Sequence, residues 1–164
     1  MSSQLFSPFS LRGLKLPNRI VVSPMCQYSA EDGCATDWHL MHLGSLALGS
    51  PGLLIVEATA VEPIGRITPG CLGLYSDANE AALHRVLQAL RRWSPTHLGI
   101  QLAHAGRKAS SHVPWETGQL IPADAGGWPP VAPSAVAQRG DEAPPVELDA
   151  AGLARDHLLL ERGS

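Results

Sequence analysis

The residues best equipped for chemistry fall in three short stretches, "SPMCQY" (23–28), "EATAV" (57–61) and "QLAHAGRK" (101–108). In the first, Cys26 stands two places before Tyr28, just past the apolar run "RIVV". A cysteine in such a place is either small buried filling or a reactive thiol, because reactivity follows thiolate character and access. The second stretch brings Glu57, a strand-end carboxylate that suits either an acid or a structural acceptor. Ala58 and Ala60 follow, small enough to let backbone groups approach a flat ligand closely. In the third, the Gln101 amide both donates and accepts, which matches the imide-like edge of a ring such as a flavin. "HAGRK" adds His104, Arg107 and Lys108, which read equally as a generic basic turn or as an anion or cofactor contact.

Other groups offer less. His39 and His42 lie three apart on a helical stretch, yet no third ligand has metal-site spacing, so capping or packing is the better reading. Cys26, Cys34 and Cys71 are an odd number at irregular intervals, neither a disulfide framework nor a zinc pattern. No metal is expected, and a zinc-binding regulatory domain is the remotest reading. Neither GxGxxG nor GxxxxGK[ST] occurs, so the two commonest phosphate-cradling loops are absent.

These groups need elements to hold them. "NRIVVSPM" reads as a short strand closed by Pro24, and "DWHLMHLGSLALGS" as a helix with Thr36 and Asp37 as candidate N-caps. "PGLLIVEATAV" has the continuous apolar run of a strand buried on both faces. "SDANEAALHRVLQALRRWS" is the clearest helix, capped by Ser76 or Asp77, with Ala81, Leu83 or Leu87, and Leu90 on its apolar side. "HLGIQLAHAG" gives a third buried strand, and "VELDAAGLARDHLLLE" a last helix capped by Asp149. "LFSPFSLRGLKLPN" reads as a hairpin around Arg12 and Gly13.

Alternation of this kind predicts βαβ units with parallel strands. An open doubly wound sheet and part of a (β/α)8 barrel both fit, and both gather chemistry at the C-terminal ends of the strands. The three stretches are those ends. Between the third strand and the last helix runs a Pro/Gly-rich segment with no helical or strand periodicity, and long loops of that kind tend to be functional. Trp115 within it is the candidate to cover a pocket, while Trp38, Trp93 and Trp128 read as packing residues.

Composition limits the partners. With 45% hydrophobic and 16% charged residues the chain is not of disordered type. A net charge of -3 without like-charge blocks argues against nucleic acid and anionic membrane surfaces. The start, "MSSQLFSPFS", lacks a signal pattern, and no apolar run approaches the ~20 residues of a membrane span. A cytoplasmic location is the expectation.

Four segments in order, "NRIVVSPMCQYSAEDG", "TDWHLMHLG", "LLIVEATAVEPIGRITPGCLGLYSD" and "IQLAHAGRKAS", closely resemble the Old Yellow Enzyme family. More narrowly they resemble its thermophilic-like branch of ene reductases and xenobiotic reductases. The resemblance covers about residues 5 to 155. It implies an α/β fold: about the first three βα units of a (β/α)8 barrel, with an N-terminal β-hairpin and a long loop after the third strand. It also implies FMN as cofactor, NADPH or NADH as reductant, and an enone-type substrate whose activated C=C bond is reduced.

By the same resemblance Ser23, Pro24, Met25, Cys26, Ala60 and Gln101 bind the flavin, Ala60 through its backbone. Cys26 tunes its redox behaviour and Tyr28 contacts substrate. The family's substrate-binding histidine pair, flavin-contacting arginine, last-unit phosphate site and proton-donating tyrosine have no counterpart in this sequence. Residues 1–164 are thus expected to form the N-terminal part of a single FMN-binding barrel domain, truncated by a frameshift, a split gene or fragmentation. A non-catalytic remnant, a homo-oligomer, or one half of a split protein needing a complementing chain is the alternative expectation.

Overall fold

In the computed structural model residues 3–162 are described; the outermost residues of the expected 1–164 domain, at 1, 2, 163 and 164, lie outside them. The chain opens with a one-turn 3-10 segment and then β1 (Phe9–Leu11) and β2 (Leu14–Leu16), which pair antiparallel about Arg12 and Gly13. The expected hairpin is therefore present, as a sheet of its own.

The central layer is a three-stranded parallel sheet in the order β3 (Val21–Val22), β4 (Leu53–Ala60), β5 (His97–Ala103). Two helices link them, α1 (Asp37–Leu48) and α2 (Asp77–Trp93). These are βα units with parallel strands, as the alternation predicts. β3 is shorter than "NRIVVSPM" suggests. Its ladder is limited to Val21 and Val22, because beyond them the chain is held by side-chain bonds instead of a neighbouring strand.

Local chemistry sets the helix ends. Thr36 precedes α1 with its N–H donating to His39 Nδ1 (3.0 Å) and its hydroxyl to the Ser29 carbonyl (3.0 Å). His39 is thus a capping partner, as its spacing suggests. Ser76 Oγ accepts the Asn79 N–H at 3.2 Å, which makes Ser76 the α2 cap and Asp77 its first residue. The buried side of α2 is Asn79, Leu83, Val86 and Leu90. Ala81, expected on that side, is exposed, because the stripe begins at Asn79, whose amide reaches the Asp32 carbonyl (3.1 Å). The last helix, α3 (Ala150–Arg162), starts where expected, with the Gly152 N–H on Asp149 Oδ1 (2.8 Å).

The core lies between the sheet and the helices. Leu54 and Val56 pack there with Leu43 and Ala47 of α1 and Leu83, Val86 and Leu90 of α2. The Pro/Gly-rich segment is less formless than its sequence suggests. It contains a short parallel pair, β6 (Val131–Ala132) with β7 (Val146–Glu147), and it is stapled by Trp128. The Trp128 backbone N–H donates to the buried Ser110 hydroxyl (2.7 Å), and its indole N–H to the Ile64 carbonyl (2.9 Å). Trp38, Trp93 and Trp115, by contrast, are exposed, so the packing expected of Trp38 and Trp93 is not found.

Candidate functional site

Pairing register assigns the strand residues to two faces. Val22, Leu54 and Leu98 stand side by side, as do Val56 and Ile100, on the face the helices cover. On the opposite face Val21, Leu53 and His97 align, followed by Ile55 with Gly99. Between Val56 and Ala58 the register shifts, so that Ala58 pairs with Gln101 and Ala60 with Ala103. That bulge, centred on Glu57, moves Ala58 and Ala60 from the covered face onto the open one. Without it the two alanines would continue the Leu54–Val56 side, and Gln101 would have no small neighbours.

Glu57 holds the bulge in place. The side chain is 3% exposed; Oε2 accepts the Gln27 N–H at 3.0 Å and Oε1 lies 3.4 Å from His39 Nε2. Since His39 Nδ1 is occupied as an acceptor, Nε2 carries the proton that faces this carboxylate. Glu57 therefore ties the Cys26 loop to β4 and α1. Of the two roles its sequence position left open, the structural acceptor is the one observed.

A second loop closes over the strand ends. The Ala30 N–H donates to the Gly70 carbonyl and the Gly73 N–H to the Gly33 carbonyl, both at 2.9 Å. A Cβ at Gly70 would lie 2.6 Å from the Tyr28 carbonyl oxygen, so only glycine permits this approach. Ala60 is drawn in by the same loop: its N–H donates to Leu72 and its carbonyl accepts from Leu74. Its N–H and one acceptor position of its carbonyl are used within the chain. Ala60 also offers the mouth its small side chain.

At the strand ends lies an open cavity of about 350 Å³ bounded by Ala58, Ala60, Cys71, Ala103, His104 and Lys108, among others. Gln101, the register partner of Ala58, is exposed on the same face, and its amide makes no hydrogen bond to the described residues. Met25 is 45% exposed, Ser23 is exposed, and Pro24 and Cys26 are half-buried. Tyr28 holds a left-handed backbone (φ 53°), a sparsely populated state for a non-glycine residue. Its ring meets Trp115 edge-on at 5.3 Å. Burial, then the nearby Cys26, Cys71 and Glu57, raise its hydroxyl above the ordinary value.

Cys26 lies near Cys71, a residue that sequence reading passed over. The neighbouring Cys71, together with burial, pushes the Cys26 thiol far above its ordinary value. The nearby Cys26 in turn lowers Cys71 to about 6; Thr68 assists, with its N–H and hydroxyl both 3.4 Å from the sulfur. The signal in the sequence was a Thr three residues before a Cys in the turn "TPGC".

His104 accepts the Gly106 N–H on Nδ1 (3.0 Å), so its Nε2 donates to Glu62 Oε1 at 2.9 Å. Asp156 joins them, giving three groups of metal-ligating type within 4.8 Å of one another. The Arg155 guanidinium contacts both carboxylates, at 3.4 Å for Glu62 and 3.0 Å for Asp156, and supplies the countercharge a cation would. His42 stays apart from this group. No helix among the described residues is long and apolar enough to cross a membrane.

Comparison with known proteins gives the same picture. An NADH:flavin oxidoreductase of Gibberella zeae is 50% identical over 140 residues, covering 84% of this chain and 34% of that protein. An NADPH dehydrogenase of Geobacillus thermodenitrificans is 41% identical over 166 residues, covering 100% of this chain and 44% of that one. Among solved structures, morphinone reductase in complex with tetrahydroNAD superposes with a TM-score of 0.76 at 28% identity, over 99% of this chain and 47% of its own. The old yellow enzyme from Trypanosoma cruzi shares the fold at a TM-score of 0.77, with 23% identity over 98% of this chain and 46% of its own. The chain thus spans between about a third and a half of these proteins' length. The family model for NADH:flavin oxidoreductase / NADH oxidase matches residues 4–139, and with the strand-end geometry and these relatives it establishes that the chain belongs to that family, as a member of Old Yellow Enzyme type covering its N-terminal part.

Proposed function

We propose that this chain provides the FMN-facing half of the mouth of an NAD(P)H-dependent ene reductase. The observation that carries the reading is the Glu57 bulge, which sets the half-buried Ala58, and Ala60 beneath the second loop, on the same face as the exposed Gln101 amide, which makes no hydrogen bond to the described residues. A flat heteroaromatic ring fits there: small side chains below it, a donor–acceptor amide at its polar edge, and the exposed Met25 thioether alongside. Bound FMN would supply hydride chemistry between NAD(P)H and the β-carbon of an enone.

The chain's own residues have defined parts in this reading. Ser23, Pro24, Met25, Cys26, Ala60 and Gln101 hold the ring, with Gln101 fixing its orientation through paired hydrogen bonds. Cys26 sets the polarity beside the ring, which is the lever a protein has on flavin electronics. Tyr28, presented by its strained backbone and steadied by Trp115, orients substrate and shields the mouth from water. The whole chain then belongs to one FMN-binding domain.

The test is to incubate the purified chain with FMN, desalt it and record the visible spectrum. Retained yellow cofactor is expected; bleaching by NADPH under nitrogen and recolouring by 2-cyclohexenone would support the finer activity. A colourless protein would overturn the reading for this chain. A second reading rests on the unpaired outer edge of β5: a complementing chain or a second copy completes the barrel and its active site. Light scattering during the same titration separates the two.

A further inference from the structure

We propose that Thr36 and Trp38, at the start of α1, are positioning residues for Tyr28, holding its phenol in place for a ligand; this rests on the reading of Tyr28 as the group that orients substrate. Tyr28 has a φ of 53°, a state that a bulky side chain keeps only where its surroundings over-determine the backbone. Hydrogen bonds do so on both sides of it. Before it, the Gln27 N–H donates to Glu57 Oε2 at 3.0 Å. The Gln27 side chain is fixed too: its amide oxygen accepts the Trp38 indole N–H (3.1 Å), and its amide nitrogen donates to the Met25 carbonyl (2.8 Å). After it, the Ser29 carbonyl accepts the Thr36 hydroxyl (3.0 Å), while the Ser29 hydroxyl donates to the Gln27 carbonyl (2.9 Å). The next residue, Ala30, is bonded through its N–H to the Gly70 carbonyl.

Thr36 is itself held. Its N–H donates to Nδ1 of His39, a side chain 1% exposed whose Nε2 lies 3.4 Å from Glu57 Oε1. The two sides of the grip therefore meet at one buried pair. Trp38 is 48% exposed, so its bond to Gln27, and not burial, gives this surface indole its place. The Tyr28 hydroxyl, by contrast, makes no hydrogen bond to any described residue. A fixed backbone beneath a free hydroxyl suits the orienting of a ligand oxygen, because the ordering entropy is already lost before the ligand arrives.

The experiment incorporates 3-fluorotyrosine into the whole chain, which has two tyrosines, and records fluorine NMR spectra without flavin or substrate. Tyr75→Phe assigns the two resonances. Tyr75 donates to the Asp32 carbonyl at 3.3 Å, further along the same loop, and so reports general loosening. In Thr36→Val and in Trp38→Phe the Tyr28 resonance should move toward its position in the urea-unfolded chain, while that of Tyr75 stays. Thr36→Ser, which keeps the hydroxyl, should restore the parent spectrum. A Tyr28 resonance unmoved in either variant, an equal movement of Tyr75, or no recovery in Thr36→Ser would refute the grip. No ligand is present, so that failure would leave the FMN reading untouched, and a chain that binds no FMN would leave the grip standing.

Discussion

One sheet presents two opposite environments. On the covered face Leu54 and Val56 are 0% and 1% exposed, sealed by α1 and α2. On the other, Val21 is 47% exposed, Gln101 lies open, and Leu53 and Ile55 are half-buried. Burial of apolar area stabilises by roughly 25 cal/mol per Å². The covered face therefore carries most of this sheet's stability, while the open face keeps groups in reserve for a ligand or for further strands. The junction between them is Glu57, whose bulge decides on which face the small residues emerge.

Breaking that junction should have the largest effect. Glu57→Ala leaves the Gln27 N–H and the buried His39 Nε2–H facing each other without a carboxylate, which should cost about 3–5 kcal/mol in urea unfolding. A loss below about 1 kcal/mol would remove Glu57 from the account. Next, Leu54→Ala should cost about 2–4 kcal/mol and Ile55→Ala under about 1 kcal/mol, since a cavity opens only where neighbours already pack. Equal losses would mean that the faces are not distinct. Gly70→Ala, which pushes a methyl group against the Tyr28 carbonyl, should cost about 1–2 kcal/mol and alter Trp115 fluorescence. An unshifted emission spectrum would contradict the contact between the two loops.

The smallest expected effect concerns pH. Because folding lowers Cys71 from 9.0 to about 6, its contribution to stability is complete above the ordinary value and is lost as pH falls through about 6. The stability difference between the parent chain and Cys71→Ser should therefore widen as pH rises from 6 to 9. A difference that is flat, or that narrows, across this window would reject a stabilised thiolate.

Much of this was legible in the sequence because it is local. Thr36, Ser76 and Asp149 mark helix starts by short-range hydrogen bonding, and the βαβ order follows from apolar runs alternating with helical repeats. The bulge was not legible: "LLIVEATA" reads as one uninterrupted run, and the face on which Ala58 and Ala60 fall depends on register against β5. For a like reason Cys71 was missed, since its neighbour Cys26 is placed by a fold and not by spacing. Trp38 and Trp93 misled because large apolar side chains suggest a core, whereas these two sit on exposed helix positions, Trp38 bonded to Gln27 and Trp93 beneath the Arg92 guanidinium.

The central claim is that the open face holds a flavin ring at Gln101, and fluorescence titration of FMN tests it most directly. The parent chain and His84→Ala, altered on the exposed outer side of α2, should quench FMN with equal affinity. Gln101→Ala should bind about tenfold more weakly, a difference of about 1.4 kcal/mol. Identical affinities in all three, or no saturable quenching in any, would contradict the account.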